Sequence, residues 1–373
     1  MAGRSKMVAL DRSERGRWGI AQTTRALFSA GDRRAVALLL RLILAAALIV
    51  TMALSLGWGA ADEVAVIPAL LGKFGWSEAS LRDTVIIWDI RMPRVLTATL
   101  VGAALAVSGA VMQGLFRNPL ADPGLIGVSA GAGLGAVVAI VLGGVLPAAI
   151  AGFFGRWLVP AFAFLGGWGA TLLLFALATR GGRTSVATML LAGIALGALT
   201  GALTGIVVYY ATDDQLRDLT FWSMGSVAGA SWQQLFVAAP MMLGALCAAP
   251  FLARALNAMA LGEAAALHLG IDTQATKRIA ILTVAGATGA SVAITGGIGF
   301  VGIVVPHLLR LVQGPDHRGL FVNAALLGAI LLLWADMLAR TFIAPAELPI
   351  GIVTAALGGP FFMSVLMRNR HLL

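Results

Sequence analysis

One cysteine, Cys247, stands in 373 residues, which excludes an internal disulfide and any Cys-pair metal site. It lies in an apolar run and is expected as a core thiol. Charge is equally scarce. Asp, Glu, Lys and Arg make up 12% of the chain, against roughly a quarter in soluble domains. No Gly-x-x-x-x-Gly-Lys-[Ser/Thr] pattern occurs, and the Gly72-Lys73 pair lacks the leading glycine and runs into Phe74, so hydrolysis of nucleotide by a P-loop is excluded. No pair of acids falls in the middle of an apolar run, where a proton- or sodium-driven carrier keeps its ionisable residues. Asp336 and Glu347 come nearest, and both lie towards the end of a run. His268, His307, His317 and His371 are far apart and lack ligand spacing, so no metal is expected. No Ser/His/Asp set stands out. Active transport by such a chain would draw its energy from another subunit.

What the chain has in abundance is apolar sequence: 59% of residues are hydrophobic, 46 are glycine, and the mean hydropathy is +0.92. Lipid is then the main solvent, and small residues let membrane helices approach closely. The net charge of +9 and pI of about 11.1 sit at the ends of apolar runs. That placement reads as basic loops facing an anionic membrane surface, with no nucleic-acid partner. Arg4, Lys6, Arg12, Arg15, Arg17, Arg25, Arg33 and Arg34 form a basic, mostly disordered tail over residues 1–35. No cleavable signal pattern follows, so the first membrane helix is retained.

A span needs about 20 mostly apolar residues. Spans are expected at 37–57, 95–115, 124–144, 158–178, 187–210, 233–252, 277–295, 300–313, 321–341 and 351–367. The fold class is therefore all-α: a polytopic membrane domain of about ten helices over 36–370, with a cytoplasmic segment at 255–275. The eighth span is short, contains Pro306 and His307, and follows the glycine-rich 295–299. A glycine-interrupted helix lining a protein-enclosed cavity is one reading, a re-entrant hairpin with span seven the other. With the N-terminus inside, 19 of the 26 Lys and Arg fall on the inner side and seven outside, which places both termini in the cytoplasm. Spans two to five and seven to ten form two blocks offset by five, an arrangement that would make them inverted repeats.

Four stretches carry more specific information. Arg91-Met-Pro-Arg94 precedes the second span, followed by Gly102-Ala-Ala-Leu-Ala-Val-Ser-Gly109 and Met112-Gln113. Arg117-Asn-Pro-Leu-Ala-Asp-Pro123 leads into Gly127-Val-Ser-Ala-Gly-Ala132. Leu261-Gly-Glu-Ala-Ala-Ala-Leu-His-Leu-Gly270 lies between spans six and seven. The last runs from Gly297-Ile-Gly-Phe-Val-Gly302 through Pro306-His307, Gly314-Pro-Asp-His-Arg318, Ala335-Asp336, Arg340 and Ala346-Glu-Leu-Pro-Ile-Gly351 to Gly358-Gly-Pro-Phe361.

Each has a physical reading. Arg91 and Arg94, flanking a proline turn on the outer side, make a fixed and always-charged docking point for carboxylates, with interface snorkelling as the structural alternative. Arg340 ends the ninth span on the same side. Leu261–Gly270 reads as a short helix with Leu261, Ala265 and His268-Leu269 on one face, Glu263 favouring its N-terminus and Gly270 ending it. Asn118, Pro119, Asp122 and Pro123 shape an inner turn between the second and third spans. Asp336 pairs with Arg340 at i,i+4, and Pro349 fixes an outer turn in which Glu347 pairs locally. The glycines of 193–205 suit a wide pathway, but helix packing explains them as well.

Together, and in this order over about residues 85–367, the stretches resemble the permease subunits of type II ABC importers, which carry iron-siderophore complexes, haem or cobalamin. The resemblance implies a bacterial inner-membrane permease homodimer, two cytoplasmic ATPase subunits that hold ATP-Mg, and a soluble periplasmic binding protein, with no cofactor on this chain and no catalysis by it. It matches Arg91, Arg94 and Arg340 to docking positions for the binding protein. It matches Leu261, Gly262, Glu263, Ala265, His268, Leu269 and Gly270 to the coupling helix that seats on the ATPase. The pattern around His268 and Ala344-Pro-Ala-Glu-Leu-Pro349 looks most like haem permeases, with a ferric siderophore or cobalamin as the alternative cargo.

Overall fold

The computed structural model describes residues 33–59, 64–344 and 346–368. Most of the basic tail, the acids Asp62 and Glu63, and residues 369–370 lie outside them. The chain is almost entirely helical, as the long apolar runs require when backbone polar groups must be satisfied without water.

In chain order the helices are α1 (Arg33–Gly57), α2 (Val66–Gly72), α3 (Leu81–Leu115), α4 (Val128–Leu142), α5 (Ala148–Phe154), α6 (Leu158–Ala178), α7 (Val186–Tyr209), α8 (Asp213–Met224), α9 (Trp232–Ala260), α10 (Glu263–His268), α11 (Thr273–Thr295), α12 (Val301–Gln313), α13 (His317–Thr341) and α14 (Ile350–Arg368). A two-residue hairpin pairs Thr179–Arg180 with Arg183–Thr184 before α7. Among the described residues eight helical stretches are long and apolar enough to cross a membrane, and α12 and the apolar part of α14 are two shorter ones. These ten correspond to the ten expected spans.

α3 is the axis of the bundle. It packs against α13, α9, α12 and α11, and almost every side chain from Pro93 to Leu115 is buried. Small residues permit the approach: a Cβ on Gly109 would overlap the Gly302 carbonyl of α12, and one on Gly102 the Gly328 carbonyl of α13. α3 also starts earlier than its apolar run. Ser80 caps it by accepting from Asp83 N at 3.0 Å, and the helix passes Met92-Pro93 without a turn. Residues Ile86–Arg91 form a π segment in which Met92 N–H reaches back to the Ile87 carbonyl. That widened turn accommodates a proline that cannot donate, so the expected rigid proline turn is corrected to a continuous helix.

α12 begins inside the bundle. Thr295 ends α11, residues 296–300 are non-helical, and Gly302 lies against α3. Thirteen residues of helix are about 20 Å, short of the roughly 30 Å hydrocarbon core. The irregular backbone is tolerated because it is enclosed by protein: Ser226 N–H donates to Thr295 O at 2.7 Å, and Gly225 packs on Gly297. One expectation fails plainly. Cys247 is exposed on the flank of α9 and is no core thiol.

Candidate functional site

Two polar constructions flank the buried stretch of α3 from Pro93 to Leu115. At the first, Arg94 projects from the start of that stretch towards α13. Its Nη2 lies 2.8 Å from Asp336 Oδ1, and its Nε donates to the same carboxylate at 2.9 Å. Nη1 and Nη2 donate to Glu347 Oε1 and Oε2 at 2.9 and 3.0 Å. Arg340, one turn beyond Asp336, lies 3.6 Å from its Oδ2 and donates through Nη2 to Ser55 on α1. Arg91 donates to the Leu56 and Gly57 carbonyls at the end of α1.

Arg91, Arg94 and Arg340 are 4%, 7% and 5% exposed. The guanidinium groups therefore do not form the exposed docking pair that the Arg-Met-Pro-Arg spacing suggested. They tie α1, α3, α13 and the turn before α14 together, and Arg94 meets two carboxylates in the bidentate geometry that arginine favours. Asp336–Arg340 pair as the i,i+4 spacing indicates. Glu347 pairs with Arg94, 253 positions away, and not locally. Pro349 lies in the turn before α14, where Leu348 N–H donates to Ala339 O.

At the other end of α3, the sequence between α9 and α11 folds into α10. Gly262, at φ +114°, turns the chain, and Gly270, at φ +76°, ends the helix. Ala266 packs inward, while Leu261, Leu267 and Leu269 are 74%, 59% and 59% exposed, and His268 is exposed beside them. Ala265 is half-buried behind this face, where the sequence had placed it on the face itself. α10 is anchored from below. Lys277 Nζ, 2% exposed, lies 2.8 Å from Glu263 Oε2 and donates to the Thr184 carbonyl at 2.8 Å. Thr184 N–H donates to Gln274 Oε1. A short helix with Leu267 exposed on it, and Leu261 and Leu269 exposed in its flanking turns, is thus held to α11 and the 179–184 hairpin by a buried cation that sequence reading missed. Glu263 fourteen residues before Lys277 is too distant a spacing for any helix rule to find.

A third network lies next to α10. Asn257 on α9 accepts from His317 N and from Nδ1–H at 2.7 Å, and its amide donates to Asp316 at 2.6 Å. Arg310 on α12 donates to Gln113 on α3 and, through Nη2, to His317 Nε2 at 3.4 Å. Burial alone would raise the Asp316 carboxyl, but the Arg318 N–H, the Asn257 amide and the nearby Arg318 and His317 hold it below its ordinary value.

Between α3 and α4 the chain folds back against the Gly302 end of α12, where Pro123 packs. Asn118 Oδ1 accepts from Leu120 N, and Asp122 Oδ1 accepts from Gly124 N at 2.7 Å. Asp122 and Pro123 border a cavity of about 290 Å3 together with Ser129, Ser223, Thr288 and Gly299. Burial pushes the Asp122 carboxyl up, against the pull of the Gly124 N–H. His307, the residue after Pro306 in α12, meets the edge of the Phe361 ring, with 5.8 Å between ring centroids. Among the described residues no three His, Cys, Asp or Glu side chains converge in a metal-holding group.

The two constructions lie at opposite ends of the buried Pro93–Leu115 stretch of α3. Arg94 opens it, and Gly114, twenty residues on or about 30 Å by helical rise, sits against His317 beside Asn257 and the root of α10. The described residues thus combine an ionic clamp around Arg94 with a short helix flanked by exposed leucines at the other end of the bundle.

Comparison with known proteins agrees. Residues 42–368 match the model of the FecCD transport family. The hemin transport system permease protein HmuU of Yersinia pestis is 48% identical over 286 residues, which span 76% of this chain and 84% of that protein. The vitamin B12 import system permease protein BtuC of Klebsiella pneumoniae subsp. pneumoniae is 44% identical over 292 residues, 78% and 85% of the two chains. An inward-facing conformation of a proposed metal-chelate type ABC transporter superposes with a TM-score of 0.75 at 33% identity, covering 88% of this chain and 98% of that one. With ten matching apolar helices and the motifs in order, the chain belongs to the FecCD transport family, as a multi-pass permease of an ABC importer.

Proposed function

We propose that two copies of this chain form the permease of a haem importer, with two ATPase subunits seated on α10 and a soluble binding protein on the opposite face. The observation that carries the energy-input half is α10. Leu267 stands exposed on a helix whose base is fixed by Lys277 and Glu263, and Leu261 and Leu269 stand exposed in the turns that flank it. Apolar side chains on a rigid, water-facing support are the makings of a protein contact, because their burial is the gain and little ordering remains to oppose it. Binding and hydrolysis of ATP-Mg belong to the partner, since this chain has no P-loop.

The second copy finds support in α7. Gly197, Gly201 and Gly205 recur every fourth residue, and among the described residues no other helix comes within 4 Å of where their Cβ would be. Packing inside the subunit does not explain them, so this face is available to a second copy across a wide pathway. The positive-inside distribution puts α10 and both termini in the cytoplasm of a bacterial inner membrane. Haem as cargo rests on the hemin permease relative and on the pattern around His268 and Glu347. His268 is exposed on α10, so its place is in the ATPase contact and not in a pathway as an iron ligand. Cobalamin is the second reading, favoured by the 44% identity to a vitamin B12 permease, and a ferric siderophore the third.

Reconstitution with the ATPase and binding protein in liposomes decides among them. ATP-dependent uptake of hemin, with neither cobalamin nor a ferric siderophore entering, is the expected result. Uptake of cobalamin in place of hemin would replace the cargo, and uptake without any ATPase would end the importer reading.

A further inference from the structure

At the end of the bundle that carries α10, a cleft of about 720 Å3 opens between α1, the end of α9 and the turn joining α12 to α13. Four guanidinium groups line it: Arg33, Arg34 and Arg41 on α1, and Arg318 on α13. Residues 33, 34, 37, 38 and 41 all face this cleft, and their spacing is that of one helix face, so the three arginines of α1 are stacked along it. Among the described residues a single carboxylate, Asp316, faces them. Its Oδ1 already accepts from Asn257 Nδ2 at 2.6 Å and from Arg318 N at 3.0 Å.

Among the described residues none of these four arginines forms a salt bridge. Arg41 is the deepest, two turns into α1, and its Nε is buried with no acceptor. A buried guanidinium N–H without an acceptor is destabilising, so an oxygen-rich anion would be drawn to it. Gly314 makes room for the outermost arginine: a Cβ there would come 3.0 Å from Arg33 Nη1.

The cleft adjoins an apolar surface. Leu38 lines it and is 55% exposed, and Leu42, one turn further along α1, is 62% exposed. A ligand suited to this arrangement is anionic at one end and aliphatic along about two helical turns. The chain preceding Arg33 is a poor filler, because it holds Arg4, Lys6, Arg12, Arg15, Arg17 and Arg25 against Asp11, Glu14 and Asp32. An acidic protein surface would match the charge but not the lipid-facing leucines beside it.

We infer that this cleft binds the phosphate headgroup of an anionic phospholipid, with the guanidinium groups on the phosphate and the acyl chains along Leu38 and Leu42. Arginine forks suit phosphate oxygens, and basic clefts between membrane helices are where such headgroups are held. The site is independent of cargo and of which direction the protein transports.

Native mass spectrometry of the full chain in mild detergent tests it, with phosphatidylglycerol and phosphatidylcholine of equal chain length as probes. Phosphatidylglycerol is expected to stay bound at least tenfold more than phosphatidylcholine. A variant with Arg33→Gln, Arg34→Gln and Arg41→Gln should lose that preference. Arg180→Gln with Arg183→Gln, which removes two exposed arginines at the same end, should keep it. A photoactivatable phosphatidylglycerol on the unaltered protein should label 33–42 and 313–319, which keeps the test valid even if the triple variant misfolds. Equal retention of the two lipids, equal loss in the Arg180/Arg183 control, or labelling elsewhere would overturn the inference. Displacement of the lipid by millimolar inorganic phosphate would show a free-anion site, and loss of labelling when the ATPase is bound would show a protein contact. Each of those two results also overturns it.

Discussion

Arg94 illustrates how far a residue's context can reverse a reading of its sequence. Beside a proline, outside the apolar run, it has the look of a charge displayed to solvent. In the fold it is 7% exposed and is claimed by Asp336 and Glu347. Removing one partner of a buried pair leaves the other charge uncompensated, at about 3–5 kcal/mol in known cases. Arg94→Ala is therefore expected to lower the thermal midpoint of the detergent-solubilised protein markedly, and Arg94→Ala with Asp336→Asn to recover part of the loss. An unchanged midpoint in Arg94→Ala would return the arginine to a surface role. Lys277 is the counterpart at the other end. Lys277→Met should leave the bundle folded but free α10, read as faster hydrogen exchange over 262–270 with exchange in α3 unaltered. Uniform acceleration everywhere would mean that the lysine supports the whole fold.

At the scale of elements, glycine pairs set the spacing of the bundle. Gly109 allows α3 to touch the opening of α12, and a Cβ there would overlap the Gly302 carbonyl. Overpacking of this kind destabilises by about 1–3 kcal/mol, so Gly109→Ala should reduce thermal stability, while Gly197→Ala, in open space on α7, should not. Equal midpoints for the two variants would refute the packing assigned to α3 and α12. For α10 the expected change is functional. Leu267→Asp should leave folding intact and sever ATP hydrolysis from uptake in the reconstituted importer. Full uptake in that variant would move the ATPase contact elsewhere. The existence of most of these helices was legible in the sequence, since twenty apolar residues in lipid have few other options. Their starts were less so. α3 begins at Leu81, fourteen residues before the expected span, because a serine cap and a π segment carry the helix through polar sequence and past Pro93. α8 was missed although Thr212 and Gln215 form a capping box that its spacing advertises.

For the whole molecule, the sequence by itself determined the solvent, the class of fold, the number of apolar helices and the family. Each of these depends on composition, run length and local motif, which do not change on folding. The pairing of ends also followed, because alternate spans must reverse direction. What only the tertiary structure decided is which charges are shown and which are consumed. Arg91, Arg94 and Arg340 turn inward, Lys277 is buried beneath α10, Cys247 faces out, and three glycines of α7 meet no other helix among the described residues. The physical reason is the same in each case. Exposure depends on which helix lies alongside, and partners 242 or 253 positions apart, as Asp336 and Glu347 are from Arg94, leave no trace in local spacing.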